Sequence, residues 1–145
     1  MSIKDVPPQA LTMRVSEELK RLKELQPPEW SHYVKTGAHR EHPPDQPNWW
    51  YARASSVLRR VYLDGPVGIS RLRTYYGGKQ KRGSAPEHYR RGGGKIIRTI
   101  LQQLENAGLV SKIERNGRRI SPSGESLLNR AVSEAKAGTA EKSGE

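Results

Sequence analysis

Between Tyr75 and Lys95 the sequence reads YYGGKQKRGSAPEHYRRGGGK, and nearly all of its side chains suit one kind of chemistry. Lys79, Lys81, Arg82, Arg90, Arg91 and Lys95 are cations at neutral pH. Such groups neutralise phosphate oxygens without reading what the phosphates carry. Tyr75, Tyr76, His88 and Tyr89 offer flat faces on which unstacked bases can lie. Gly92-Gly93-Gly94 has no side chains to hold a phosphate away from the backbone amides. This is the equipment of a surface that binds a polyanion. Of the two adjacent tyrosines, Tyr76 is expected to pack inward. Tyr89, between His88 and Arg90, is expected to meet the ligand.

The charge is concentrated around this stretch. The 145-residue chain carries a formal net charge of +11. Residues 1–50 hold seven basic and seven acidic groups, and residues 101–145 hold seven and six. Residues 51–70 add Arg53, Arg59 and Arg60 against Asp64. Residues 71–100 hold nine basic groups, including Arg71, Arg73 and Arg98, against the single acid Glu87. Solubility does not require clustering, whereas a focused positive field is the footprint of a nucleic-acid partner. The segment has too few apolar groups to offset its own ordering entropy. It is therefore expected to be an irregular loop, mobile in the free chain and ordered on RNA.

Other chemistries are disfavoured. The chain has no cysteine, which excludes disulfides and thiolate metal sites. His39 and His42 stand three apart beside Glu41, but a metal site needs further ligands, and no metal or cofactor is expected. Gly92-Gly93-Gly94-Lys95 is followed by Ile96, where a nucleotide-binding loop needs Ser or Thr. No nucleophile–base–acid constellation stands out, so no enzyme activity is expected. No apolar run approaches the ~18 residues of a membrane span, and the first ten residues lack a signal-peptide apolar region. An intracellular protein without membrane contact is expected. Arg14, Lys20, Arg21 and Lys23 alternate with Glu17, Glu18 and Glu24, which describes a solvated helix face.

The elements that must position the basic stretch can be placed from periodicity. Asp5, Pro7 and Pro8 mark a helix start, and Leu11, Val15, Leu19 and Leu22 form its apolar face up to Pro27-Pro28. A short helical piece fits 29–34, and 37–47 is a proline-rich loop. A long helix is predicted over 48–63, with Trp50, Ala54, Val57, Leu58 and Val61 inward and Trp49, Arg53, Ser56 and Arg60 on a neighbouring stripe. Gly65 is its natural left-handed cap. A second helix fits 68–76, with Ile69, Leu72 and Tyr76 inward. A third fits 92–109, with Ile97, Ile100, Leu101 and Leu104 inward and Arg91, Lys95 and Arg98 on another face. Asn116-Gly117 suits the turn of a tight hairpin between 110–114 and 118–121. A last helix opens at Ser121-Pro122, and a disordered tail is expected at 137–145, leaving 1–136 as a single domain.

The resulting fold class is mainly α: a helical domain around a long central helix, with a winged-helix-like half and one small β-hairpin. Winged helices bind DNA, RNA and proteins alike. A DNA reader joins its second and third helices by a short turn and starts the recognition helix with base-reading side chains. Here the connection is long and the third helix opens on glycines, which favours RNA over a winged-helix DNA-binding transcription regulator.

The stretches NWWYARASSVLRRVYLDGPVGISRLRTYYGGKQKRG and HYRRGGGKIIRTILQQLENAGLV closely resemble the e-type small-subunit ribosomal protein nineteen family of archaea and eukaryotes. The likeness runs from the first helix to about Ala135. It implies a cytoplasmic constituent of the small ribosomal subunit, bound to rRNA in the subunit head beside other ribosomal proteins, and a monomer outside the ribosome. It also implies support of small-subunit rRNA maturation and assembly. Carried onto this chain, the family's functional weight falls on Arg53, Arg59 and Arg60, then on Lys79, Lys81, Arg82, Arg90, Arg91 and Lys95. Trp50 matches a structural position at the start of the long helix.

Overall fold

The long helix is α2, Trp49–Asp64, and the rest of the chain packs around it. Trp50, Ala54, Val57, Leu58 and Val61 recur at helical spacing, and each is at most 1% exposed. The helix ends where Gly65 takes φ +73°, a conformation that costs glycine little. This computed structural model describes residues 6–32, 49–82, 85–113 and 117–143. Asp5, the loop at 37–47, His39 and His42 lie outside the described residues.

α1 spans Pro8–Lys20, with Pro8 at a first-turn position where its missing N–H is not needed. Leu11, Val15 and Leu19 bury its inner face. The helix was expected to continue to Pro27-Pro28, but it stops at Arg21, where the Arg21 N–H bonds back to the Glu18 carbonyl and the Leu22 N–H to the Leu19 carbonyl. Leu22 sits in an extended conformation, and a 3₁₀ turn at Lys23–Leu25 drives Leu25 into the core. Leu22 continues the apolar period, so periodicity alone could not mark the exit. A second 3₁₀ turn, Glu29–His32, matches the short helical piece expected there.

α3 spans Ile69–Tyr75 and α4 spans Gly94–Asn106. Ile97, Ile100, Leu101 and Leu104 are buried as expected, and Ile96 joins them. β3 (Val110–Ile113) and β4 (Gly117–Ile120) form the expected antiparallel hairpin. Val67 pairs with Arg118 through two backbone hydrogen bonds of 2.9 Å, so the link between α2 and α3 forms a third rung beside β4. Gly117 has φ +85°, and a Cβ there would collide with the Val67 carbonyl. Helix, rung, helix, helix and wing is a winged-helix order. α5 spans Pro122–Ser143. Ser121 caps it, accepting from Gly124 N–H at 3.2 Å while its hydroxyl donates to Gly108 O at 2.5 Å. The sequence places a tail from 137, but α5 continues to Ser143 through residues such as Ala, Lys and Glu that favour helix.

The main departure is the basic stretch. In place of an irregular loop, β1 (Gly78–Arg82) and β2 (Ala85–Arg90) form a second antiparallel hairpin. Gly78 stands opposite Arg90, Lys79 opposite Tyr89 and Gln80 opposite His88, with a register shift between Gln80 and Arg82. The strands carry no apolar face; the ladder pairs the inner edge of each strand, and Arg73 and Gly92 anchor the hairpin at its root. Pro86 is tolerated because a two-stranded ribbon has only edges. The fold is mainly helical as expected, with two hairpins where one was predicted.

Candidate nucleic-acid interface

The basic region is drawn from one face of α2, the end of α3, the β1–β2 hairpin and the start of α4. Its cations fall into two groups. The first is tied to protein partners. Arg53 lies over the Tyr76 ring, its guanidinium carbon 4.1 Å from the centroid. Tyr76 stands edge-on to Tyr75, with centroids 4.9 Å apart and planes at 87°. Arg60 lies over Tyr75 at 4.3 Å and grips both oxygens of Asp64, at 3.0 and 2.8 Å. Asp64 is one helical turn after Arg60, so the pair costs the backbone nothing. The result is a continuous stack, Arg53–Tyr76–Tyr75–Arg60, closed by a carboxylate.

Tyr76 packs inward as expected. Its hydroxyl shares a 2.5 Å hydrogen bond with the Ser56 hydroxyl. Burial pushes its phenol up to about 12, although the Ser56 bond and the Arg53 and Arg60 charges favour the anion. Tyr75 is half exposed, at 50%.

Arg73 belongs to the tied group too. Its Nε–H donates to Gly92 O at 2.9 Å, and Gly92 N–H donates to Arg73 O at 2.8 Å. This corrects the reading of the glycine run. Gly92 is buried and its amide is taken, and a Cβ there would lie 3.1 Å from Tyr76 Cβ and carbonyl oxygen. A Cβ on Gly94 would press on the Arg73 side chain at 3.2 Å. Gly92 and Gly94 let the hairpin root and α4 seat against α3, and the Gly92 amide is committed to Arg73 and not open to a phosphate.

The second group faces solvent. Arg71 on α3, and Arg91, Lys95 and Arg98 at the start of α4, are exposed. Lys95 also lies over the Trp30 ring, 4.7 Å from its centroid. Arg59 is half-buried, and its Nε, like that of Arg60, is inaccessible and has no hydrogen-bond partner among the described residues. The side chains of Lys79, Lys81, Arg82, His88, Tyr89 and Arg90 lie outside the described residues. Their backbones place them along the hairpin that projects between α3 and α4.

Beneath the site Trp50 joins three segments. Its indole N–H donates to Gln103 Oε1 at 2.9 Å, and Gln103 Nε2 donates to Gln26 O at 2.8 Å. Trp30 and Trp49 both meet Trp50 edge-on. Sequence reasoning passed over Trp30, Asp64 and Gln103. The opposite charges of Arg60 and Asp64 at a spacing of four were a usable signal. Gln103, one of two adjacent glutamines on α4, carried none. Among the described residues no cluster of His, Asp and Glu could hold a metal ion, and no helix is long and apolar enough to cross a membrane.

Residues 2–137 match the family of ribosomal protein S19e. Small ribosomal subunit protein eS19 of Aeropyrum pernix is 51% identical over 90% of this chain and 86% of its own length. The protein of the same name from Thermoplasma volcanium is 46% identical over 92% and 89%. Small ribosomal subunit protein eS19A of Schizosaccharomyces pombe is 41% identical over 90% of each chain. With a match that takes in every described element from α1 into α5 as far as residue 137, the chain belongs to the ribosomal protein S19e family.

Proposed function

We propose that this protein is a non-catalytic structural constituent of the small ribosomal subunit that binds rRNA in the subunit head. The observation that carries the proposal is the family match, together with an exposed cation set at the junction of α3, the hairpin and α4. Arg71, Arg91, Lys95 and Arg98, with Lys79, Lys81, Arg82, His88, Tyr89 and Arg90 on the hairpin, form the contact surface. Arg53, Arg59, Arg60 and Arg73 shape it from behind and add to its field. The protein works in the cytoplasmic ribosome beside other head proteins, is a monomer before it joins them, and supports maturation and assembly of the subunit. A single core from α1 to α5 supports treating 1–136 as one domain. The DNA-reading alternative gains nothing from the fold, because a whole hairpin occupies the place of its short turn.

The test is binding to a small-subunit rRNA head fragment and to random duplex DNA, each across a salt series. The expected result is a preference for the rRNA, with each neutralised phosphate adding roughly 0.7–0.9 to the log–log slope. Replacing Lys79, Lys81, Arg82 and Arg90 by Gln should erase most of that preference while leaving the hairpin root intact. Equal affinity for both nucleic acids would overturn the proposal.

A further inference from the structure

Tyr75 presents an aromatic ring to solvent at a place where its neighbours are already fixed. The Arg60 guanidinium covers the ring at 4.3 Å, and Tyr76 meets it edge-on at 4.9 Å. Arg60 is itself held by both Asp64 oxygens, so the ring's position does not depend on a ligand. Half of the residue nevertheless remains exposed. Together with Met13 on α1 it is one of the two large apolar side chains exposed among the described residues.

The charge at this spot is balanced. Arg60 is matched by Asp64, so the ring offers a π face without a net positive charge to draw a phosphate. One turn earlier on the same face of α3, Arg71 is exposed and makes no ion pair among the described residues. Residues four apart on a helix have Cβ atoms roughly 5–6 Å apart. That is the scale on which a nucleotide separates its base from its phosphate. Beside Arg71 runs an open groove of about 730 Å³, lined by Pro66, Gly68, Ser70, Thr74 and Gly117, which leads away towards the wing.

We infer that Tyr75 is a stacking platform for one unpaired base of the bound RNA, with Arg71 taking the adjoining phosphate and the groove leading the strand away. This inference rests on the RNA-binding reading and adds to it: the surface distinguishes single-stranded from paired RNA at this point. A base inside a duplex cannot offer its face to a ring on a protein surface, whereas an unpaired base can. Every base has such a face, so the preference is for strandedness and not for sequence.

The test compares a single-stranded RNA oligonucleotide carrying 2-aminopurine with a blunt RNA duplex of the same length, using the full chain. Tyr75→Leu is expected to weaken single-strand binding about tenfold and to remove the quenching of the probe, with duplex binding and the salt slope unchanged. Tyr75→Phe should restore both the affinity and the quenching. Arg71→Gln should lower the single-strand salt slope by about 0.7. If Tyr75→Leu leaves single-strand binding intact, or weakens single strand and duplex alike, the platform is overturned and the RNA-binding reading stands. If the unaltered protein binds neither RNA, both readings fall together.

Discussion

Arg73 and Gly92 hold each other twice, once through backbone and once through side chain, across 19 residues of sequence. The chain leaves α3 just after the first and enters α4 just after the second. The pair is therefore the clasp of the basic hairpin. Arg73→Lys keeps the charge but loses the rigid Nε donor. It should cost about 1–2 kcal/mol in thermal or denaturant unfolding and weaken rRNA binding although the formal charge is unchanged. Wild-type stability with wild-type binding would mean that the backbone bond alone closes the hairpin.

Arg60 is placed by sequence among the RNA-contacting cations, and a reversed charge there would be expected to spare the fold. Its contacts revise that expectation. Arg60→Glu removes the Tyr75 contact and sets a second carboxylate beside Asp64. A loss of about 1–2 kcal/mol is expected, from one exposed ion pair and one cation–π contact. Asp64→Asn should act the other way on binding, because it frees Arg60 and steepens the salt slope for rRNA. A melting temperature unchanged by Arg60→Glu would show that the stack contributes nothing to the fold.

Trp50→Ala should cost roughly 3–5 kcal/mol, since the ring is buried and leaves a cavity among three segments. Gln103→Leu should cost less, about 1–3 kcal/mol, by stranding the indole N–H and losing the bond to the Gln26 carbonyl. A double variant whose loss is well below the sum of the two would confirm that Trp50 and Gln103 act as one unit.

Tyr76 makes stability depend on alkaline pH. Its phenol stays neutral in the fold until about 12, first because of burial, against 10.0 when unfolded. The neutral form is the one the fold favours, so this contribution is complete below pH 10. It is lost as pH rises from 10 to 12, because the unfolded chain releases its proton first. The loss is roughly 2–3 kcal/mol. Tyr76→Phe should be less stable than the unaltered protein at pH 8, and the gap between them should close by pH 12. A gap that stays constant across that window would contradict the buried, neutral phenol.

The fold was legible wherever apolar spacing and cap residues agreed. α2 shows this: Trp50 to Val61 repeat at helical intervals, and Gly65 follows. The β3–β4 hairpin and the Ser121-Pro122 start were equally plain, although Gly117 stands in β4 opposite Ile113 and not in a two-residue turn. The end of α1 was not, because Leu22 keeps the period while the backbone has already left the helix. The β1–β2 hairpin was hidden for a different reason. Its residues lack an apolar alternation, and a segment so poor in apolar groups reads as unstructured. Gly83-Ser84, a pair suited to a two-residue primed turn, was the available signal. At the site, the concentration of charge was visible in the sequence. Which arginines were free and which were tied was not, because that depends on partners such as Asp64, Tyr76 and Gly92 lying across elements.

The cluster of Trp30, Trp49 and Trp50 has an optical consequence. These are all three tryptophans of the chain, and the outermost ring carries the ammonium of Lys95, a member of the proposed contact surface. Emission excited at the red edge of the indole band therefore arises from one spot directly beneath that surface. If RNA draws Lys95 away from Trp30, the colour and intensity of that emission change with it. The protein carries a built-in dye for its own docking, and no label is needed to follow it.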